Sequence, residues 1–267
     1  VKSPLTASPV NTIAGVKDTL CQVDLNADLG EGFAHDTAML AHVTSINIAC
    51  GFHAGDARVM QGLVRQAHAL GVGIGAHPSF PDRIDFGRQE MHLTPDEIRA
   101  DLLYQLGALA AIARAESASL SHVKLHGALY NQAARDRELA QVISLTLAEF
   151  NPNLKIMALA GSVFVDVLRE TGLTVVQEVF ADRGYTAQGT LVPRHAAGAL
   201  ITDENDMLAQ VLGMVKYGKV RAVTGEWIAV QADTICLHGD GLHAATFARR
   251  LRQFLQAEGV TVAKLAV

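Results

Sequence analysis

The sequence predicts an α/β fold, a single seven-stranded parallel β/α barrel, and three observations point there. Short β-branched runs alternate with longer segments of helical period along nearly the whole chain, the pattern of repeated βα units around a parallel sheet. Almost every strand candidate ends in polar or ionisable residues, which is where α/β barrels carry their functional groups. The length, 267 residues, suits one barrel, and no low-complexity linker or shift in composition divides the chain. The barrel is therefore assigned to residues 21–259, with residues 1–20 as an N-terminal tail and 260–267 as a C-terminal tail.

In chain order, the first strand candidate, Gln22–Ala27, runs into Asp28-Leu29-Gly30-Glu31-Gly32, and the second, Ser45–Ala49, into Cys50-Gly51-Phe52-His53-Ala54-Gly55-Asp56. Asp56 can cap the next helix, whose apolar stripe is Val59, Leu63, Ala67 and Leu70 and whose stop is Gly71. The third strand, Val72–Ala76, leads into His77-Pro78-Ser79. Thr94-Pro95-Asp96-Glu97 is a capping box with proline at the first helical position, after which Ile98, Leu102, Leu106 and Leu109 repeat on one face. The fourth strand, His122–Leu125, carries Lys124 and ends in His126-Gly127-Ala128-Leu129-Tyr130-Asn131. The fifth is Lys155–Ala160, and the sixth, Thr174–Val179, carries Glu178 and leads to Asp182 and Arg183. A helix starts at Thr202 or Asp203, buries Leu208, Val211, Leu212 and Val215, and closes at Gly218. Val220–Thr224 and Trp227–Val230 break the alternation and read as an inserted hairpin around Gly225-Glu226. The seventh strand, Thr234–Leu237, ends in His238-Gly239-Asp240, and a last helix from about Leu242 to Glu258 stops at Gly259.

Composition narrows the function classes. With 49% hydrophobic and 18% charged residues the chain has material for a core and too little charge for disorder. The net charge is 22 − 27 = −5, with no basic run and 5% aromatics, which argues against a nucleic-acid surface. No stretch approaches the roughly 18 to 20 apolar residues needed to span a bilayer. The most apolar region, 102–115, is broken by Tyr104, Gln105 and Arg114 and reads as a core helix. Cys21, Cys50 and Cys236 are too few and too scattered for a disulfide scaffold, and residues 1–20 lack the block of a signal peptide, so a cytoplasmic location is expected.

The chemistry lies at the strand ends. His53, His77, His126 and His238 fall at the same topological position, each beside a Gly, Ala or Pro. Packing explains one such histidine. It does not explain four together with Asp24, Asp28 and Glu178, because buried ionisable groups are costly unless paired. Two chemistries fit, and spacing does not separate them. Asp28, His53, His77 and His126 can hold a divalent metal that polarises a carbonyl and activates water. Alternatively Asp28 or Glu178 is a general base, with Lys124 and the histidines steadying an oxyanion or a phosphorylated intermediate. No HExxH is present, so the metal rests on strand-end position alone.

Other motifs carry less. Gly71-Val72-Gly73-Ile74-Gly75 runs through a strand and permits tight packing rather than dinucleotide binding, and no GxxxxGK[ST] loop exists. Cys50 reads as a small buried residue, Ser79 as a turn or helper residue without a GxSxG elbow, and His35, His42, His68, His92 and His243 as surface.

The strand-end blocks, together with Asn47-Ile48-Ala49 and Gly75-Ala76 before them and Glu178-Val179-Phe180-Ala181-Asp182-Arg183, resemble the LamB/YcsF family in family order from about residue 22 to 258. The resemblance implies a barrel of the glycoside hydrolase/deacetylase type and the role of the A component in an ATP-dependent 5-oxoprolinase. That enzyme hydrolyses 5-oxoproline (pyroglutamate) to L-glutamate with B and C subunits as partners. The chain departs from the family pattern at Phe33-Ala34-His35-Asp36-Thr37, a shorter loop than usual, and at Leu125, where proline is common.

A five-membered lactam resists water at neutral pH, so phosphorylating its amide oxygen with ATP makes a better electrophile. Within this reading Asp28, Glu178, His77, His126 and Lys124 are assigned to catalysis. Binding of substrate or phosphate is assigned to Asn26, Glu31, His53, Asp56, Asn131, Asp182, Arg183, Arg194, His238 and Asp240. A metal-dependent deacetylase or amidohydrolase acting alone, and a subunit that binds 5-oxoproline without making a bond, stay open, as do a required divalent metal and assembly into a homo-oligomer.

Overall fold

The computed structural model describes residues 21–33, 36–237 and 244–265; the expected tail over 1–20 lies outside them. The barrel strands are β1 (Gln22–Leu29), β2 (Ser45–Ala49), β3 (Gly73–His77), β4 (His122–Lys124), β5 (Lys155–Leu159), β6 (Thr174–Phe180) and β9 (Thr234–Leu237). They pair in parallel in that order, and β9 returns to β1, closing the seven-stranded barrel expected from the alternation. Two short antiparallel strands, β7 (Lys219–Arg221) and β8 (Trp227–Ala229), form the inserted hairpin, with Lys219 opposite Ala229.

The C-terminal tail differs from the expectation. Its residues Thr261–Val262 form β10, parallel to the start of β1. The reason is visible in the register: β9 first meets β1 at Asp24, which leaves the carbonyls of Cys21 and Val23 for the N–H groups of Thr261 and Ala263.

Helices α1 (Asp36–Leu40), α2 (Ala57–Leu70), α3 (Pro95–Ala115), α4 (Gly127–Ala133), α5 (Arg137–Phe150), α6 (Val163–Glu170), α7 (Glu204–Tyr217) and α8 (Ala244–Ala257) surround the sheet. Their starts follow the capping chemistry. Asp56 accepts the N–H groups of Arg58 and Val59, Thr94 and Glu97 close a reciprocal capping box, and Asp203 accepts from Asn205 and Asp206. Ile98, Leu102, Leu106 and Leu109 of α3 are all buried. The stripe of α2 is rotated from the expected one: Met60, Leu63, Val64 and Ala67 face the sheet, while Leu70 is exposed beside the left-handed Gly71 that ends the helix. In α7, Met214 takes a buried place and Leu212 and Val215 are half-buried.

Two glycines are demanded by close approach rather than by turns. A side chain at Gly75 would meet the His122 ring at 2.1 Å, so β3 must be bare where the ring crosses the barrel. One at Gly184 would meet the Gly198 carbonyl at 2.0 Å. That contact lets residues 183–201 fold back over the carboxyl end of β6, bridged at Arg183–Leu200 and Tyr185–Leu191. Gln210 of α7 ties the same loop down by reaching the carbonyls of Phe180, Ala181 and Arg183. Among the described residues no helix is long and apolar enough to cross a membrane.

Candidate active site

The barrel interior is polar. Because side chains alternate along a strand, Asp24, Asn26 and Asp28 of β1 all point the same way, inward, and meet polar partners from other strands. Deepest is Asp24, which accepts hydrogen bonds of 2.6 Å from the hydroxyls of Thr44, Ser45 and Thr234; burial nonetheless pushes its pKa up. Above it, the Asn26 amide donates to Glu178 Oε1 at 3.0 Å and to Thr234 Oγ1 at 2.8 Å. Asn47 donates to Asn26 Oδ1 and to Asp28 Oδ1, both at 2.8 Å, and its own oxygen lies 2.9 Å from His122 Nε2. Lys124 Nζ lies 2.9 Å from Asp28 Oδ1, from Glu178 Oε1 and from Cys236 Sγ. Burial opposes its charge, but Asp28, Cys236 and Glu178 outweigh that and hold the ammonium well above its ordinary pKa.

At the carboxyl ends of β1 to β4 stands the histidine cluster. Glu31 Oε1 lies 3.1 Å from His53 Nε2, 3.2 Å from His126 Nδ1 and 3.6 Å from His77 Nε2. His126 Nδ1 and His77 Nε2 face each other at 3.0 Å, and the His53 and His126 rings stack 3.7 Å apart. Burial raises the Glu31 carboxyl, yet the hydrogen bonds of His126 and His53 bring its pKa well below the usual range. Burial pushes His53 down to about 4 and lowers His126, whereas Asp28 and Glu31 lift His77 despite its burial.

The ring orientations test whether a metal fits. His77 Nδ1 meets the Lys124 carbonyl and His126 Nε2 meets the Phe86 carbonyl, each at 2.8 Å. A carbonyl only accepts, so those nitrogens carry protons, and in neutral rings His126 Nδ1 and His77 Nε2 then face each other at 3.0 Å as lone pairs; with His77 protonated, as its neighbouring carboxylates favour, Nε2–H donates to His126 Nδ1 instead. The four donor atoms of Glu31, His53, His77 and His126 lie within 4.8 Å of one another. Four of the six edges, from 3.0 to 3.6 Å, are near those of a tetrahedron with bonds of about 2.0 to 2.1 Å. The donor set therefore fits a divalent ion of the zinc type. Glu31 supplies the carboxylate that the sequence sought in Asp28; Asp28 instead turns Oδ1 to Lys124 and Asn47, with Oδ2 3.4 Å from His77 Nε2. Phe86, whose backbone is left-handed (φ 57), packs edge-on against His53 and His126 and presents the carbonyl that sets the His126 ring.

A cavity of about 390 Å³ opens above these groups. It is lined by Asp28, Glu31, His77, Lys124 and His126 and also by Arg88, Arg135, Arg183, Arg194 and His195, with Glu90 paired to Arg135 and with Phe180 and Leu191. Tyr130 also lines it; the buried hydroxyl lies beside Glu178 without reaching hydrogen-bonding geometry, and burial and that charge keep the phenol protonated.

Of the residues assigned from sequence, Asn131 also lines the cavity, exposed, with its amide on the Gly127 carbonyl. Asn26, His53 and Glu178 are buried and do not line the cavity. Asp56 is exposed and outside the cavity, where its carboxylate caps α2, and Asp182 is half-buried next to Arg183. His238 and Asp240 lie outside the described residues. Cys50 is sealed in the core, its thiol pushed up to about 12 by burial, so it is no nucleophile. Sequence reasoning passed over Asn47, His122, Tyr130, Arg88, Arg135 and His195. The inward alternation of His122 with Lys124 was a usable signal; nothing local marks the two arginines, which arrive from a loop and from the end of α4.

The chain belongs to the LamB/YcsF family, whose sequence profile matches residues 23–267. It is similar to the lactam utilization protein of Thermus thermophilus, with 45% identity, a TM-score of 0.85, and coverage of 91% of this chain and 100% of that one. A protein of Enterococcus faecalis provisionally assigned to cellobiose-phosphate cleavage matches at 12% identity and a TM-score of 0.57, covering 91% and 96%. That second likeness concerns the fold alone.

Proposed function

We propose that this LamB/YcsF protein opens a small lactam, 5-oxo-L-proline, to L-glutamate, with ATP as co-substrate and with B and C partner subunits. The observation that carries this reading is a cavity of about 390 Å³ lined both by Asp28, Lys124 and histidines and by Arg88, Arg135, Arg183 and Arg194. The 45% identical Thermus relative, a lactam utilization protein, supports the substrate class.

The chemistry follows from which groups reach the cavity. Asp28 lines it and Glu178 does not, since Glu178 is fully buried with Oε1 held by Asn26 and Lys124. Asp28 is therefore the base and Glu178 a support for Lys124. ATP transfers its terminal phosphoryl group to the amide oxygen, releasing ADP. Asp28 takes a proton from water as its oxygen attacks the ring carbonyl carbon, then gives that proton to the ring nitrogen as the C–N bond breaks. The resulting acyl phosphate loses phosphate to a second water. Lys124, 2.9 Å away, holds the Asp28 carboxylate in place before attack. A divalent cation on Glu31, His53, His77 and His126 would add Lewis-acid polarisation of the carbonyl.

Glutamate and phosphate release from 5-oxoproline and ATP, measured for the chain alone and with its partner subunits, tests the reading. Asp28→Asn in the assembled enzyme is expected to lower turnover by about 10²- to 10⁴-fold. No glutamate from the wild-type mixture refutes the function, and normal release by the variant refutes the base. The histidine cluster favours a second reading, a stand-alone metal-dependent amidohydrolase; amide cleavage without ATP or partners, abolished by a chelator, would replace the first.

A further inference from the structure

We infer that Arg183 forms a carboxylate subsite, so that the cavity selects lactams bearing an acid group on the ring; this rests on the lactam reading and extends it to specificity. Arg183 is 5% exposed and lines the cavity. Its Nε–H donates to the Ala199 carbonyl at 3.2 Å and one Nη2–H to the Val192 carbonyl at 2.6 Å. Those bonds use the inner edge of the guanidinium. The N–H groups along the Nη1–Nη2 edge are left, and that edge pairs side by side with the two oxygens of a carboxylate.

The charge has no partner to match its burial. Among the described residues no carboxylate lies within ion-pair distance of Arg183. The neighbouring Asp182 acts on it at longer range, and burial and Arg194 both work against the positive charge. A buried, unneutralised cation is costly, and a ligand anion removes that cost. The loop is also built in advance. Gln210 holds the Arg183 carbonyl, and the close contact of Gly184 with Gly198 brings Ala199 within reach of Nε. Binding then spends little entropy on ordering the clamp.

The placement explains orientation. In a five-membered lactam acid, the carboxylate-bearing carbon and the carbonyl carbon flank the ring nitrogen. Anchoring the acid at Arg183 lays the ring against Phe180 and Leu191 and turns the carbonyl toward Asp28 and Lys124, which line the same cavity. A ring without the acid lacks this anchor.

Calorimetric titration of the purified chain with 5-oxo-L-proline and with 2-pyrrolidinone, the same ring lacking the carboxylate, tests the inference without any variant. The expected result is binding of the acid at least a hundredfold tighter than the neutral lactam. Arg183→Gln should erase that preference, while Arg183→Lys, which keeps the charge but not the fork, should recover part of it. Equal binding of the two rings by wild type, binding of neither, or a folded Arg183→Gln that keeps the preference overturns the assignment. Displacement of the acid by inorganic phosphate at equal concentration overturns it too, because the subsite would then be a phosphoryl site. Glutamate release by the assembled enzyme reads the underlying function separately: selective binding without turnover sinks lactam hydrolysis and leaves the carboxylate subsite standing.

Discussion

His122 makes the fold sensitive to acid in a way that one substitution isolates. The ring is fully buried across Gly75, with Nε2 2.9 Å from Asn47 Oδ1 and Nδ1 2.8 Å from Ser121 Oγ. Burial first, then the charges of Lys124, Lys155 and His77, bring its pKa down to about 3. In the unfolded chain the pKa is about 6.5. Between these values the unfolded chain holds a proton that the folded chain does not, so stability rises with pH, and the contribution present above pH 6.5 is lost as pH falls. At 1.36 kcal/mol per pH unit, acidification from pH 8 to pH 5 removes about 2 kcal/mol through this one ring. His122→Gln keeps an amide N–H for Asn47 and removes the titration. Urea unfolding of both proteins at pH 8 and pH 5 should show the variant losing about 2 kcal/mol less than wild type. Every other histidine is common to both and cancels in the difference. If the two losses agree within about 0.5 kcal/mol, His122 does not stay neutral in the folded barrel and the argument fails.

Lys124→Met should destabilise the chain by about 3 to 5 kcal/mol in chemical denaturation, because Asp28 and Glu178 would be left buried without their shared cation. Adding Glu178→Gln should restore part of that loss, and additive losses would refute the shared-cation account. A divalent ion that binds Glu31, His53, His77 and His126 should raise the melting temperature, worth about 2.7 kcal/mol at a hundredfold excess over Kd, and a chelator should reverse it. No shift with zinc, cobalt, nickel or manganese, or the same shift in His53→Ala, would remove the metal site.

The barrel was legible because its signals are local. Thr94 and Glu97 announce a helix start by chemistry three residues apart, and Ser45–Ala49 and Thr234–Leu237 are strands to the residue. The α2 face was misjudged for a reason that is not local: Val59 and Leu70 are as apolar as Met60 and Val64, and only the sheet beneath decides which pair turns inward. Of the strand-end residues, Asp28, Glu31, His77, Lys124, His126, Asn131, Arg183 and Arg194 line one cavity, because the barrel brings the carboxyl ends of its strands together. What sequence could not order was depth. Asp28 and Glu178 were equivalent as candidate bases, and they separate only when one is seen on the cavity wall and the other sealed behind Asn26 and Lys124.

Depth is also where this barrel departs from the usual packing, in which layers of branched apolar side chains fill the interior. Here Asp24, Asn26, Asn47, His122 and Glu178 occupy that space and bond to one another in a continuous network ending at Asp28 and Lys124. Such a network stabilises only if every member is satisfied, and removing one partner leaves another buried charge or amide unpaired. One of its atoms, Glu178 Oε2, breaks that rule, and so does the hydroxyl of the neighbouring Tyr130: neither has a partner in hydrogen-bonding geometry. Tyr130 lines the cavity and Glu178 lies behind Lys124 at its base, so part of the hydrogen-bonding capacity that the barrel leaves unmet sits beside the cavity.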